Sequence, residues 1–388
     1  MKRGILYFCQ NKTLNLKTLM KNQRLMSLDA LRGFDMFFIM GLSGLITAIC
    51  ALAPGEFTDT IALHMKHVSW DGLQHHDTIF PLFLFLAGVS FPFSLAKQRS
   101  SGMSSWDIHK KILRRAALLI LFGLIYNGLF KLDFSNLRCA SVLARIGIAW
   151  AIAAILTIHF KLKARIIIAS VILVGYGLLS KFVAAPDMPG SDPLSMDGCL
   201  VGYIDRLFLH GRLLYNNGNF DPEGLLSALP AVVTALLGIF TGELIQTPEN
   251  KLSGNKKIGW MLVGALLLAL LAWGFNGVLP INKMLWSSTF VCAVGAYSLV
   301  MMALFYYVID VRGWKKWAFV FQVVGMNSIT IYMAQRIISF NGISKFFFGG
   351  LAGLCSEPLG NVILSAGFVI TTWLFLYFLY RQKIFLKV

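Results

Sequence analysis

The residues best suited to chemistry lie between His64 and Asp77, directly before a long apolar run. This short segment holds four of the seven histidines of the chain, together with two aspartates. The run that follows, Thr78 to Ala96, is long enough to cross a bilayer. Titratable groups are costly at the mouth of a membrane span, and those that are kept there usually have a function. The segment therefore predicts a reactive site at a membrane face.

His67 and Asp77 are the first candidates for catalysis. A histidine titrates close to neutral pH, so His67 could take a proton from an amine or a hydroxyl group. Asp77 could orient the imidazole ring and stabilise its protonated form, as in other His–Asp pairs. Trp70 and the apolar span would limit access of water. The alternative is an interfacial histidine bonded to backbone, with Trp70 in the aromatic belt of the membrane.

A metal site is a second interpretation of the same segment. Its histidines and Asp77 offer nitrogen and oxygen ligands of the kind that zinc accepts. However, His64 and His67 share one face only within a helix, and the neighbouring side chains of His75 and His76 point in different directions in any regular structure. We therefore expect no metal.

Basic residues suggest where an anionic ligand could bind. Arg32, within RLMSLDALRGFDM, could receive a phosphate group, or it could instead pair with Asp29 or Asp35. A second basic cluster could hold a polyphosphate, although membrane topology alone also predicts it. The cluster comprises Lys97, Arg99, Lys110, Lys111, Arg114 and Arg115.

Three carboxylates in a later loop, Asp205, Asp221 and Glu223, could bind an amine or sugar hydroxyls. For Asp221 we favour a structural role, because Asp221-Pro222-Glu223 is typical of a helix start. For Glu223 both interpretations stay open.

Composition indicates that most of the chain lies in lipid. The 388 residues are 57% hydrophobic and only 14% charged, well below the charged share of soluble proteins. We predict an all-α polytopic bundle of ten transmembrane helices, from runs of about 20 apolar residues. These runs lie near 31–51, 78–96, 112–130, 142–160, 166–183, 225–245, 258–275, 285–308, 317–334 and 362–380.

The distribution of positive charge predicts the orientation of the bundle. With ten spans, 25 of the 35 lysines and arginines fall on the side that holds both termini. The positive-inside rule places that side in the cytoplasm. The formal charge of +17 then reflects topology, not a nucleic-acid surface. The histidine segment and the longest loop, 184–222, face the other side.

We predict one transmembrane domain, 25–388, preceded by a basic cytoplasmic tail, 1–24. Several polar residues fall inside the predicted spans and are expected to face a polar cavity within the bundle. They are Asp35, Arg145, Glu243, Asn327 and Gln335.

Eight short motifs, in this order and with compatible spacing, resemble the membrane region of heparan-α-glucosaminide N-acetyltransferase and its bacterial relatives. They extend from Arg24 to Phe385 and read SLDALRGFDM, KHVSWDGL with DTIFPLFLFLAGVS, RCASVLARIGIAW, GYIDRL, FDPEGLLSALP, LPINKMLW, GMNSITIY and YRQKIF. The resemblance implies a multipass acetyltransferase of the bacterial inner membrane that uses cytosolic acetyl-CoA as acyl donor. It also suggests a homodimer surrounded by lipid.

The resemblance also implies roles for individual residues. The active histidine of the family lies in the motif that matches KHVSW, which is His67 here. Asn327 and Asn282 are expected to line the cavity, or to join helices. Two positions depart from the family: Ser43 stands near an asparagine of the animal enzyme, and Ala144 stands where glutamine usually precedes Arg145. Both departures bear on the identity of the acceptor and on the contacts with the donor.

We therefore predict transfer of an acetyl group from acetyl-CoA to an amino sugar or other glycan on the extracytoplasmic side. His67 would act as general base or as transient acyl carrier, and Asp77 would orient it. We assign Arg32, Arg145 and Asn327 to the donor, and Trp70, Glu223 and Asn282 to the acceptor. The alternative is a proton-coupled sugar transporter with His67 and Asp77 as a relay. No pair of interrupted helices in two halves, the usual mark of such carriers, is visible in the sequence.

Overall fold

The computed structural model of the chain describes residues 25–215 and 218–386. The predicted tail, 1–24, lies outside the described residues. Within these ranges the regular structure is helical, apart from four isolated β-bridges between loops. The prediction of an all-α polytopic bundle is confirmed.

Fourteen helices can be followed through the described ranges. Their bounds are α1 Met26–Cys50, α2 Glu56–His64, α3 His75–Ser100, α4 Ser105–Tyr126, α5 Val142–His159, α6 Leu162–Phe182, α7 Leu200–Phe208, α8 Ala228–Gln246, α9 Gly254–Phe275, α10 Ser288–Val311, α11 Phe319–Gly325, α12 Ser328–Ile337, α13 Phe340–Gly353 and α14 Glu357–Arg381.

Eight of the described helices are long and apolar enough to cross a membrane, two fewer than the ten predicted spans. These eight are α1, α3, α5, α6, α8, α9, α10 and α14. The predicted span 112–130 falls in α4, whose first half carries five charged residues and leaves an apolar stretch only from Ala116 to Tyr126. The predicted span 317–334 is broken near Asn327 into α11 and α12, each of which is too short to cross alone.

Helix α3 forms the centre of the bundle and carries the candidate site at its first turn. Leu82, Leu84 and Phe85 in its middle are fully buried. It packs against α8, and the backbones of the two helices approach closely because Gly88 and Gly238 face each other without side chains. By contrast, α6, α9 and α14 are mostly exposed along apolar faces, as expected of helices that contact lipid.

Helix α1 is interrupted by a π-helical segment, Phe38–Leu42. Gly41 adopts a φ of 111°, and a side chain there would lie within 2.5 Å of the Phe368 ring. Insertion of an extra residue into a helix turn redirects the side chains that follow, and such bulges are frequent at functional sites. The segment leads directly to Ser43, which contacts the candidate site.

Candidate active site

The site is built on the first turn of α3, where Asp77 is the third residue of the helix. Its Oδ2 atom accepts hydrogen bonds from the backbone N–H groups of Gln74 and Val68, at 3.2 Å each. Asp77 thereby caps the helix and fixes the loop before it. Its side chain is only 1% exposed, so the carboxylate is rigidly held and shielded from water.

His67 and Asp77, the pair predicted from the sequence, lie in direct contact. The Nδ1 atom of His67 is 2.7 Å from Oδ1 of Asp77. The His67 side chain remains 48% exposed. One edge of the ring is therefore anchored to a buried carboxylate while much of the side chain stays accessible, which is the arrangement that a general base needs.

Lys283 completes this site and was not singled out from the sequence. Its Nζ atom lies 2.9 Å from Nδ1 of His67 and 3.1 Å from Oδ1 of Asp77, and its side chain is 16% exposed. Burial lowers the pKa of the Lys283 ammonium, and the carboxylate of Asp77 opposes this shift. The sequence signal that could have identified Lys283 was its place within LPINKMLW, one of the motifs that resemble the acetyltransferase family.

Asn282 holds the loop that presents Lys283. Its amide nitrogen donates to Oδ1 of Asp71 at 3.0 Å, and its carbonyl oxygen accepts from the backbone of Leu285 at 2.8 Å. Gly72 and Ile281 add a backbone hydrogen bond of 2.8 Å. Asn282 is 1% exposed, so both ends of its amide are bonded inside the protein and it joins two loops.

The remaining histidines of the segment are separated in space. Nδ1 of His76 lies 3.1 Å from Oγ of Ser43, and the rings of His76 and His67 are 4.5 Å apart. His75 instead contacts the hydroxyl of Tyr297 at 3.2 Å. No group of three or more His, Cys, Asp or Glu side chains among the described residues is placed to hold a metal ion. His76 and Ser43 are thus neighbours of the candidate base, which sequence spacing did not reveal.

Trp70 and Glu223, which we assigned to the acceptor, lie on the side of the site that faces the long loop, 184–222. The Trp70 indole donates to the backbone oxygen of Leu194 at 2.9 Å, and its ring meets Phe220 edge to face. Glu223 pairs with Arg138, which also binds Asp221 through two hydrogen bonds of 2.7 Å. Asp221 is fully buried, but α8 begins only at Ala228, so Asp221 does not start that helix and is instead bonded to Arg138.

Arg145 and Asp205 lie beneath the same loop. Arg145 donates to the backbone oxygen of Gly224 and to the hydroxyl of Ser227, and its guanidinium lies 4.9 Å from the Trp286 ring. Burial raises the pKa of Asp205 to about 7. One oxygen of Asp205 accepts from the backbone of Leu225, while the other has no hydrogen-bond partner among the described residues.

A separate cavity of about 280 Å³ lies deeper in the bundle and is lined by two arginines, Arg32 and Arg115. Arg32 donates to the Ser90 hydroxyl at 2.9 Å, and the Arg115 guanidinium stacks 4.2 Å from the Trp150 ring. Arg145 is not among the lining residues. Asn327 does not line the cavity either, although its neighbours Met326 and Ser328 do; its own amide donates to the backbone of Ile384 at 3.2 Å.

Comparison with known proteins agrees with the motifs. Residues 24–132, which include His67, Asp77, Arg32 and Arg115, match a family described as a domain of unknown function (DUF5009). Heparan-alpha-glucosaminide N-acetyltransferase of Homo sapiens is 28% identical over a 377-residue alignment, and that of Mus musculus is 27% identical. Each alignment covers 84% of this chain and 56% of the relative, so the chain corresponds to about half the length of these proteins. The chain is therefore similar to heparan-alpha-glucosaminide N-acetyltransferase along most of its length, as its motifs predict.

Proposed function

We propose that the chain is a membrane acetyltransferase that moves an acetyl group from acetyl-CoA to the amino group of a sugar on the extracytoplasmic side. The observation that carries this proposal is the 2.7 Å contact between His67 and the buried carboxylate of Asp77 at the mouth of α3. The homology to acetyltransferases supports the reaction class.

In the proposed reaction the acceptor amine attacks the thioester carbonyl. A nitrogen–carbon bond forms and the carbon–sulfur bond breaks. His67 takes the proton of the amine through its Nε2 atom and returns it to the leaving thiolate, which departs as CoA thiol. Asp77 holds the ring and stabilises the transient imidazolium. If His67 itself carried the acetyl group, transfer would proceed in two steps with ping-pong kinetics.

The cavity with Arg32 and Arg115 supports binding of an anionic donor. Guanidinium groups suit phosphate oxygens, and these two line the same space. The volume of about 280 Å³ fits part of a CoA molecule, not the whole. We assign it to a phosphate-bearing segment of the donor, with Asn327 next to the lining residues Met326 and Ser328 along the chain. The geometry favours Arg32 and Arg115 over Arg145 for this contact.

For the acceptor we propose that Trp70 and Glu223 face the sugar. An indole ring suits the apolar face of a pyranose, and a carboxylate can accept hydrogen bonds from an ammonium or hydroxyl group. Asn282 is fully engaged with Asp71 and Leu285, so we assign it the task of holding the loop, not of touching the sugar.

The sidedness rests on charge. Counted with the ten predicted spans, the excess of lysine and arginine on one side supports a cytoplasmic donor end and an extracytoplasmic His67. In a bacterium this membrane would be the inner membrane.

The test is transfer of radiolabelled acetyl from acetyl-CoA to glucosamine by purified protein, comparing the native chain with His67→Ala. The matched control is His210→Ala, which removes an exposed histidine from the long loop. We expect loss of transfer in the first variant and native rates in the second. Equal rates in all three proteins would refute the assignment of His67. Label retained on the native chain without acceptor, and absent from His67→Ala, would identify the acyl-histidine route.

A further inference from the structure

We propose that Lys283 is a positioning residue of this site that keeps His67 in the neutral form needed for a base. The inference rests on the proposed function of His67, and it goes beyond it by giving a role to a residue on a distant loop. Three contacts define the arrangement: His67 with Asp77, Lys283 with His67, and Lys283 with Asp77, at 2.7, 2.9 and 3.1 Å.

The number of hydrogens on Nδ1 of His67 limits which of these contacts are hydrogen bonds. Nδ1 of an imidazole carries at most one hydrogen, so its contacts with Asp77 and with a charged Lys283 cannot both be hydrogen bonds at once. When Nδ1–H donates to Asp77, the carboxylate has four donors around it: His67, Lys283 and the N–H groups of Val68 and Gln74. Four donors match the four lone-pair sites of a carboxylate. Nε2 of His67 is then unprotonated and can accept a proton.

The charges of Asp77 and Lys283 decide which protonation form of His67 is favoured. A buried carboxylate alone would favour the imidazolium form of a neighbouring histidine. An imidazolium already holds its proton and cannot serve as a base. The ammonium of Lys283, 2.9 Å from Nδ1 of His67, opposes the charge of Asp77 at a similar distance, 2.7 Å, and therefore disfavours the imidazolium form. After His67 has taken the proton of the amine, the same ammonium favours its release to the leaving thiolate.

Other ionisable groups lie near His67 and Lys283, but they do not cancel the effect of the Lys283 charge on His67. His76 lies beside His67 with its ring 4.5 Å away. Glu223 and Arg145 act on Lys283 with opposite signs. Lys66 is adjacent to His67 in sequence, but its side chain is exposed and its charge is screened by water.

The experiment measures the protonation of His67 without any acetyl transfer. Diethyl pyrocarbonate modifies the neutral form of an imidazole and not its protonated form, and the rate of modification at His67 itself can be followed by peptide mass spectrometry as a function of pH. We expect Lys283→Met to raise the pH midpoint of modification by about one unit or more, since a charge within 4 Å is removed. Asp77→Asn is expected to shift it in the opposite direction.

Two further variants separate this role from a structural one. Lys283→Arg keeps the charge and is expected to retain a midpoint near that of the native protein. Lys66→Met removes a lysine from the adjacent exposed position and is expected to leave the midpoint unchanged. An unchanged midpoint in a folded, monodisperse Lys283→Met protein would overturn the proposal. If Lys283→Met does not fold, a midpoint in Lys283→Gln equal to that of the native protein would overturn it equally. Because this readout needs no donor, it stands even if acetyl transfer is not observed.

Discussion

Asp71 and Asn282 lie 211 positions apart in the chain, yet the amide of Asn282 donates to the Asp71 carboxylate at 3.0 Å and the two residues form an antiparallel bridge. The bridge fastens the loop after α9 to the loop before α3. Lys283 follows Asn282 directly, so the same contact sets the distance between Lys283 and His67. Part of the candidate site is therefore assembled by a loop-to-loop contact outside any helix.

Asn282→Asp tests this contact. The new carboxylate would face Asp71 without a donor between them, and it would be buried. We expect a lower melting temperature, a loss of stability of about 2 kcal/mol, and at least tenfold slower transfer. Asn255→Asp, at an exposed position early in α9, is the control and is expected to behave like the native protein. Native activity in Asn282→Asp would show that the bridge is dispensable.

Gly41→Ala tests the interruption of α1. The methyl group would meet the Phe368 ring, and alanine is unfavourable at a φ of 111°. We expect a loss of about 1–3 kcal/mol and reduced activity, since the π-helical segment leads to Ser43 beside His76. Gly44→Ala is the matched control: its added methyl group contacts nothing within 4 Å. Melting temperature and transfer rate are the readouts. Equal effects of the two substitutions would contradict a specific role for the break.

Asp205 is expected to make stability depend on pH. Burial raises its pKa to about 7 in the folded protein, whereas it ionises near 4 when unfolded. Between these values the folded state holds one more proton than the unfolded state. Stability therefore falls as pH rises from about 4 to 7, by at most about 1.4 kcal/mol per pH unit.

Asp205→Asn removes this titration while keeping the acceptor for the Leu225 backbone. We expect the variant to exceed the native melting temperature by more at pH 8 than at pH 5. Asp192→Asn, at an exposed position in the same loop, is expected to show no such trend. A constant difference between Asp205→Asn and the native protein across this range would argue against a buried, protonated Asp205.

Arg115→Gln tests the donor cavity. Removing one of two guanidinium groups that line the same space should weaken binding of a polyphosphate. We expect the KM for acetyl-CoA to rise about tenfold or more, with unchanged modification of His67 by diethyl pyrocarbonate. Arg114→Gln removes an exposed neighbouring charge and serves as the control. A KM rise of the same size in both variants would point to general surface charge, not to the cavity.

The sequence was most informative where the relevant residues are close together along the chain. His67 and Asp77 are ten positions apart, and the apolar run after them identified a span, so their pairing could be predicted. Lys283 and Ser43 reach the site from other helices and loops, and no spacing rule connects them to His67. For Lys283, only the motif LPINKMLW indicated a functional role.

Two of the ten predicted spans, 112–130 and 317–334, are not among the eight helices that are long and apolar enough to cross a membrane, so the count of ten stays a prediction. In α4 the apolar stretch is real but short, because Arg114 and Arg115 belong to the same helix. In 317–334 the composition is apolar, but the backbone leaves helical geometry at Asn327, with φ −128° and ψ 29°. Arg145 was assigned to the donor from its position within a span, yet its contacts are with the loop residues Gly224 and Ser227.

Acetyl transfer across the membrane that depends on His67 can be tested with proteoliposomes loaded with glucosamine. Radiolabelled acetyl-CoA is added outside. We expect native protein to form labelled N-acetylglucosamine inside the vesicles, His67→Ala to form none, and His210→Ala to match the native protein. Movement of glucosamine across the membrane without acetylation, or equal product with native protein and His67→Ala, would contradict it.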